Sequence, residues 1–257
     1  MQAFDQLIEI IDRLRSADGC PWDREQTFES IKTFLIEEVY EIIDTIDDGN
    51  FDKLYEELGD LQLQIVFLSR IAQEKGIFTI QEVLACINEK MIRRHPHVFG
   101  DASVASTREV LENWEKIKSL ERENSTPGNP GGLLSSIAKS LPALQAAYQI
   151  GSKTSRVGFD WDTCEAVEEK FREEWQEYEH AKQTGDIQNI RHEIGDMLFT
   201  LANLARKLKI DPEDALRLSN KKFTRRFAHM EKNTDVHRTS RQRLEMLWNQ
   251  AKEMDGP

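Results

Sequence analysis

Two sets of acidic residues carry the chemistry that is legible in this chain. Glu37-Glu38-x-x-Glu41 is followed by Glu57-x-x-Asp60, and 136 positions later Glu173-Glu174-x-x-Glu177 is followed by Glu193-x-x-Asp196. Helical residues three apart project to the same side, so each set presents its carboxylates as a group. Carboxylates crowded in this way repel, and desolvating them costs several kcal/mol each unless something compensates. Hard divalent cations do so: Mg²⁺ and Mn²⁺ favour oxygen ligands, and Mg²⁺ keeps positions open for water and phosphates. The expected metal ligands are Glu174, Glu177, Glu193 and Asp196, with Glu38, Glu41, Glu57 and Asp60 as a second set. A solvated acidic face laced with ion pairs is the competing reading, and repetition in register counts against it. A di-iron site draws a Glu-x-x-His pair from each of two helices. Here both pairs end in acid and His192 precedes Glu193 directly, so the all-oxygen set favours Mg²⁺ or Mn²⁺.

The elements that must position these acids are helices. Apolar residues recur at three- and four-residue steps almost throughout, and alternating strand-like runs of any length are absent. Helices are expected near 2–15, 26–47, 51–74, 79–94, 106–122, 134–152, 163–183, 187–208, 211–231 and 239–253. Turn chemistry separates them, as at Asp48-Gly49-Asn50 and Thr184-Gly185-Asp186. The apolar stripes run through 31, 35, 42, 46 and through 167, 171, 178, 181, and Glu38 and Glu174 fill the gap in each. An amphipathic helix keeps carboxylates on its wet face, so acids inside the stripe point to a ligand within the fold. A short Gly-containing turn then folds the next helix back and brings the two acid pairs together. Gly59 and Gly195 recur inside strongly helical segments, where Gly costs about 1 kcal/mol relative to Ala. Their repetition suggests close approach of another helix or of a ligand.

The two halves superimpose without a gap over these two helices. Ile31, Leu35 and Ile42 fall on Val167, Phe171 and Tyr178; Leu58, Gly59, Leu61 and Ile65 fall on Ile194, Gly195, Met197 and Leu201. The breaker-rich stretch from Asn124 to Gly132 lies near the middle, so the expected division is 1–122, a linker over 123–133, and 134–257. The 257 residues suit two units of this size. A net charge of −12 argues against a nucleic-acid partner, which needs a basic surface. Cys20, Cys86 and Cys164 are odd in number and lack metal-type spacing, so neither a disulfide framework nor a zinc site is indicated. No leader pattern and no run of about 18 apolar residues occurs, which leads to the expectation of a soluble cytoplasmic protein with no membrane partner. No Gly-rich phosphate loop is present either, so any phosphate must be held by metals and cations. His95-Pro96-His97 reads as a structural turn rather than a metal site.

Both acidic signatures, Gly19-Cys20-Pro21-Trp22-Asp23 and Arg93-Arg94-His95-Pro96-His97-Val98-Phe99 together resemble the MazG-type nucleoside triphosphate pyrophosphohydrolases in their two-domain bacterial form. The resemblance covers essentially the whole chain. It implies an all-α fold of two tandem helical bundles, each completed by dimerisation. It also implies Mg²⁺-dependent hydrolysis of a nucleoside triphosphate between the α and β phosphates, in a nucleotide-pool cleaning role. A homodimer gains separate support from Leu61-x-Leu63-x-Ile65-Val66-Phe67-Leu68, apolar nearly all round. Under the resemblance, Glu174, Glu177, Glu193 and Asp196 hold the metal, and Glu173 or a metal carboxylate such as Glu174 takes the proton from water. Substrate contacts then fall on Lys170, Glu173, Arg191, His192, Lys222, Arg225 and Arg226, with Trp248 available to stack on a base, although core packing is the commoner role of a lone Trp. Lys90, Arg93, Arg94 and Trp114 are their counterparts in the first half. A dUTPase-like or phosphoribosyl-ATP enzyme is a sibling reading that the tandem layout disfavours, and a non-catalytic nucleotide-sensing scaffold is the alternative of a different class.

The halves differ around the acids. Lys170 answers to Phe34, Arg191 to Tyr55 and His192 to Glu56, so the first half loses a cation and gains negative charge where a polyanion would lie. The C-terminal half is therefore expected to carry most of the activity.

Overall fold

The computed structural model of the chain describes residues 2–125 and 132–254; of the expected linker over 123–133, positions 126–131 lie outside the described residues. Among the described residues there are twelve helices and no strand, as the periodicity required. The chain divides into two compact units, Met1–Pro127 and Gly128–Pro257. The first contains α1 (Gln2–Leu14), α2 (Pro21–Glu25), α3 (Phe28–Asp47), α4 (Phe51–Glu74), α5 (Ile80–Arg94), α6 (Pro96–Phe99) and α7 (Thr107–Ser125). The second contains α8 (Ala143–Ser155), α9 (Cys164–Thr184), α10 (Ile187–Lys207), α11 (Pro212–Asn233) and α12 (Arg241–Met254).

The acid-bearing hairpins are α3–α4 and α9–α10, and their ends are set by local chemistry. Thr27 caps α3 by accepting from the Ser30 N–H, and the Ser30 hydroxyl accepts in return from the Thr27 N–H. Asn50, Thr163 and Asp186 cap α4, α9 and α10 through their side-chain oxygens. Each such cap contributes about 1 kcal/mol. Gly185 ends α9 in the left-handed region at φ +70°, where a side chain would be strained.

Within the first unit α4 packs against α1, α3 and α5, burying Ile11, Ile31, Val66, Phe67, Ile71 and Ile80. Each large aliphatic buried this way contributes roughly 1.5–3 kcal/mol. Val66 and Phe67 thus serve their own unit, whereas Leu58 and Ile65 stay 50% and 38% exposed. The second unit has a smaller-grained core of Ala147, Val167, Ala181, Ala202, Met230, Leu247 and Ala251. At its centre Asn203 is fully buried: its amide donates to the Phe199 carbonyl and its Oδ1 accepts from Arg206 Nε at 3.0 Å. Arg206 and Lys207 both pair with Asp160. Gly151 of α8 lies against this network; a Cβ there would fall 1.9 Å from Asn203 Oδ1 and 2.7 Å from Arg206 Nε.

Three expectations need correction. The helix expected over 134–152 begins at Ala143, because Pro142 occupies its N-cap with extended geometry, and the residue before a proline is pushed out of helical space. Two short helices, α2 and α6, were not expected; each opens on a proline at its first position, Pro21 and Pro96, where the missing N–H costs nothing. No helix of the chain itself approaches Gly59 or Gly195 among the described residues, since a Cβ at either would meet nothing within 4 Å, which leaves a ligand or a second copy as the neighbour expected there.

Candidate active site

Three acids converge in each unit. Carboxylate oxygens of Glu38, Glu41 and Glu57 lie within 4.8 Å of one another, as do those of Glu174, Glu177 and Glu193. The apolar stripes explain the placement: Glu174 and Glu193 turn inward between α9 and α10 and are 5% and 9% exposed, while Glu177 stands at the rim. In the first unit Glu57 is buried, Glu38 half-buried and Glu41 exposed. Asp60 and Asp196 do not join these clusters; both are exposed. Each sits three residues beyond its glutamate, about 4.5 Å further along the helix axis, on a side chain one methylene shorter. Asp60 still acts through space, as one of the charges that raise the Glu38 carboxyl.

The electrostatics follow from the crowding. The Glu177 carboxyl is raised above the ordinary value chiefly by its hydrogen bond with Glu174, then by burial. Glu41 is raised in the same way, first by sharing a hydrogen bond with Glu57. Burial raises Glu38, against a 3.4 Å hydrogen bond donated by the Gln64 amide that lowers it. Glu57 is lowered, first by Lys53.

A lysine sits on each cluster, and it comes from opposite helices in the two units. Lys170 of α9 lies 2.8 Å from both Glu173 and Glu174. In the first unit Lys53 of α4 lies 2.8 Å from Glu57. The repeat register places Lys53 opposite Asn189 and Lys170 opposite Phe34, so a position-by-position comparison missed Lys53 and understated the cationic charge at the first cluster. A one-turn spacing to Glu57 was the signal that could have found it.

The remaining candidates are spread over two further surfaces. Arg191 and His192 are exposed on α10, next to Glu193 but turned to solvent. Lys222 and Arg225 are exposed on α11, and Arg226 is half-buried. Between α11 and α12 an open cavity of about 510 Å³ is lined by Phe223, Phe227, Met230, Leu244, Trp248 and polar neighbours Glu245 and Asn249. Trp248 is half-buried there, its ring 4.8 Å from Phe223 and 5.9 Å from the Arg226 guanidinium. Trp114 differs: its indole N–H is buried and lacks a hydrogen-bond partner. His95-Pro96-His97 is a turn opening α6, with His95 Nδ1 2.7 Å from the Met91 carbonyl.

An all-oxygen donor set of three carboxylates, two of them buried, suits a hard divalent cation. Comparison with known proteins agrees in kind. The family model described as the MazG nucleotide pyrophosphohydrolase domain matches twice, over residues 26–99 and 162–231, and each match contains one cluster. The nucleoside triphosphate pyrophosphohydrolase/pyrophosphatase MazG of Thermotoga maritima is 44% identical over 254 residues, covering 97% of this chain and 95% of the relative. The nucleoside triphosphate pyrophosphohydrolase of Escherichia coli K12 is 41% identical over 263 residues, covering 99% of each. The Bacillus subtilis protein YabN is 42% identical over 258 residues, which make up 52% of its own length.

Proposed function

Since this chain belongs to the MazG nucleotide pyrophosphohydrolase family, we propose that it hydrolyses nucleoside triphosphates to the monophosphate and pyrophosphate, with Glu174, Glu177 and Glu193 holding the required divalent cation. It is an enzyme, a nucleoside triphosphate diphosphatase. The observation that carries the metal assignment is the convergence of three carboxylates, two of them buried, with oxygens within 4.8 Å. Bound there, Mg²⁺ would neutralise phosphate charge and acidify a water. Asp196, three residues beyond Glu193 on α10, would add a fourth carboxylate to the set holding the cation.

The chain's own residues do the rest. Glu173 is exposed beside the cluster and 2.8 Å from Lys170, which suits it to accept the proton as water adds to the α-phosphorus. The bond to the bridging oxygen breaks, and pyrophosphate leaves with that electron pair. Glu174 is the less suitable base because it is buried and belongs to the carboxylate set that would hold the cation. Lys170 can pass from Glu174 to a phosphate oxygen when a cation takes over the carboxylate. Lys222, Arg225 and Arg226 of α11 are the candidate phosphate contacts, and the aromatic cavity at Trp248 is the candidate stacking face for the base. Arg191 and His192, exposed beside Glu193 on α10, are further candidate substrate contacts.

The exposed apolar residues Trp175, Ile194, Leu198 and Leu201 flank the second hairpin, and burial against a second copy, which would complete each bundle, is the outlet we propose. No helix among the described residues is long and apolar enough to cross a membrane. The role we propose is cytoplasmic nucleotide-pool cleaning, and the net charge of −12 argues against a nucleic-acid partner. The test is a mixed nucleoside triphosphate assay with and without Mg²⁺. Pyrophosphate release only with metal is the expected result; orthophosphate release, or no turnover at all, would overturn the reading.

A further inference from the structure

A further buried polar side chain meets the first acid cluster. Gln64 lies seven residues beyond Glu57 on α4, two helical turns along, and so shares its face. That face turns inward: Glu57 is 4% exposed and Gln64 8%. Across the hairpin, Gln64 Nε2 donates to Glu38 Oε1 at 3.4 Å. A carboxylate only accepts, so the amide has to present its NH₂ end to Glu38. Burying an amide costs free energy unless it is hydrogen-bonded, and the residues that follow it on α4, Val66, Phe67 and Ile71, form the apolar core of the unit. An apolar residue at position 64 would pack there without that cost, so the amide is explained by what it does to Glu38.

The repeat holds the equivalent glutamate with another group. Glu174, in register with Glu38, lies 2.8 Å from Lys170 on its own helix. The register partner of Lys170 is Phe34, whose side chain has no polar atom, and that of Gln64 is Thr200, a buried residue with a shorter side chain. The hold on this glutamate therefore comes from the same helix in the second unit and from the opposite helix in the first. Lys53 meets Glu57 in the first cluster, but the group that meets Glu38 there is neutral. A neutral donor does not repel an incoming cation, so it can keep one carboxylate oxygen while an ion takes the other.

We propose that Gln64 is a positioning residue of the first acid cluster, its amide holding Glu38 by one oxygen so that the other is free to take a hard divalent cation together with Glu41 and Glu57. This rests on the reading of the acid clusters as cation sites. Outer hydrogen bonds of this kind orient a ligating carboxylate, and losing one lowers metal affinity about 10- to 100-fold. At 3.4 Å the contact is longer than the usual range of about 2.7–3.2 Å, and a cation that fixes Glu38 lets it close.

The experiment uses the full chain with its second cluster disabled by Glu174→Gln and Glu193→Gln, so that the remaining, weaker Mn²⁺ uptake reports the first cluster. Mn²⁺ alone is the probe, titrated into this parent and its variants and followed by electron paramagnetic resonance. Gln64→Met keeps the volume and loses the donor; it should weaken Mn²⁺ binding by at least about tenfold. Ser69→Ala removes another buried polar group of α4, one whose hydroxyl donates to the Ile65 carbonyl of its own helix, and should stay within about twofold. A double-mutant cycle separates positioning from packing: in a Glu38→Gln chain the same Gln64→Met change should cost less than about twofold, because the ligand through which it acts has gone. Equal affinities for the parent and Gln64→Met, equal losses with and without Glu38, or no Mn²⁺ uptake by the parent would overturn the proposal. Thermal unfolding in chelator checks the fold, and if Gln64→Met loses helix, Gln64→Thr, which installs the second unit's residue, replaces it under the same criteria. Pyrophosphate release by the unmodified chain is measured alongside. Its failure would remove the proposed activity, whereas the Mn²⁺ comparison alone decides whether Gln64 positions Glu38.

Discussion

Replacing Glu193 by glutamine should push the protein in opposite directions with and without metal. Glu193 and Glu174 are both buried, and their carboxylate oxygens lie no more than 4.8 Å apart. At that separation two unit charges repel by about 0.9 kcal/mol in the dielectric of water and by about 3.5 kcal/mol at an effective constant near 20. An amide of nearly the same shape removes this repulsion and can donate to Glu174 or Glu177. The metal-free variant should therefore be more stable by about 1–3 kcal/mol, or about 4 °C in Tm per kcal/mol for a unit of this size. Saturating Mg²⁺ reverses the order. The wild type gains about 2.7 kcal/mol at one hundred times its Kd, and the variant, missing a ligand, gains little. Thermal unfolding of the second unit, followed by circular dichroism in chelator and in excess Mg²⁺, reads both effects. If Glu193→Gln unfolds earlier in chelator and shows the wild-type response to Mg²⁺, the repulsive cluster and its relief by metal are both wrong.

Further outcomes follow from the same geometry. Glu173→Gln should lower kcat by about a hundredfold or more while leaving Mn²⁺ affinity within about twofold, which steady-state kinetics and a Mn²⁺ titration separate. Gly151→Ala should destabilise the second unit by about 3 kcal/mol, because the new Cβ displaces Asn203 and Arg206 and strands buried polar groups; urea unfolding measures it. Glu41 and Glu177 bind their protons more tightly in the folded chain than in the unfolded one, so metal-free stability should rise as pH falls from neutrality toward about 5. Mg²⁺ should abolish that rise and release protons on binding. A flat Tm over this range in chelator would contradict the assignment.

The hairpins were readable in advance because their signals are local. Thr27 and Asn50 start α3 and α4, Asp186 starts α10, Gly185 stops α9, and the interruption of an apolar stripe by Glu38 and Glu174 marked acids that face inward. Spacing alone does not fix reach: the carboxylates of Asp60 and Asp196 share the signature with the three-acid groups but lie outside them in the metal-free chain. Lys53 escaped because the repeat was compared position by position, and the same counter-charge arrives from the other helix of the hairpin. Gly151 and Asn203 are invisible in one dimension: their contact joins α8 to α10 across more than fifty residues. Prolines misled in both directions, delaying the start of the expected 134–152 helix until after Pro142 and opening α2 and α6 where a break was read.

The central claim is that the inward carboxylates of the second hairpin hold a divalent ion for a nucleotide. Electron paramagnetic resonance of Mn²⁺, titrated into the chain with a non-hydrolysable triphosphate, tests it directly. We expect a tightly bound Mn²⁺ population that Glu174→Gln/Glu193→Gln eliminates while Glu38→Gln/Glu57→Gln leaves it in place. An unchanged bound signal in the first double variant, or none in the wild type, would contradict the account.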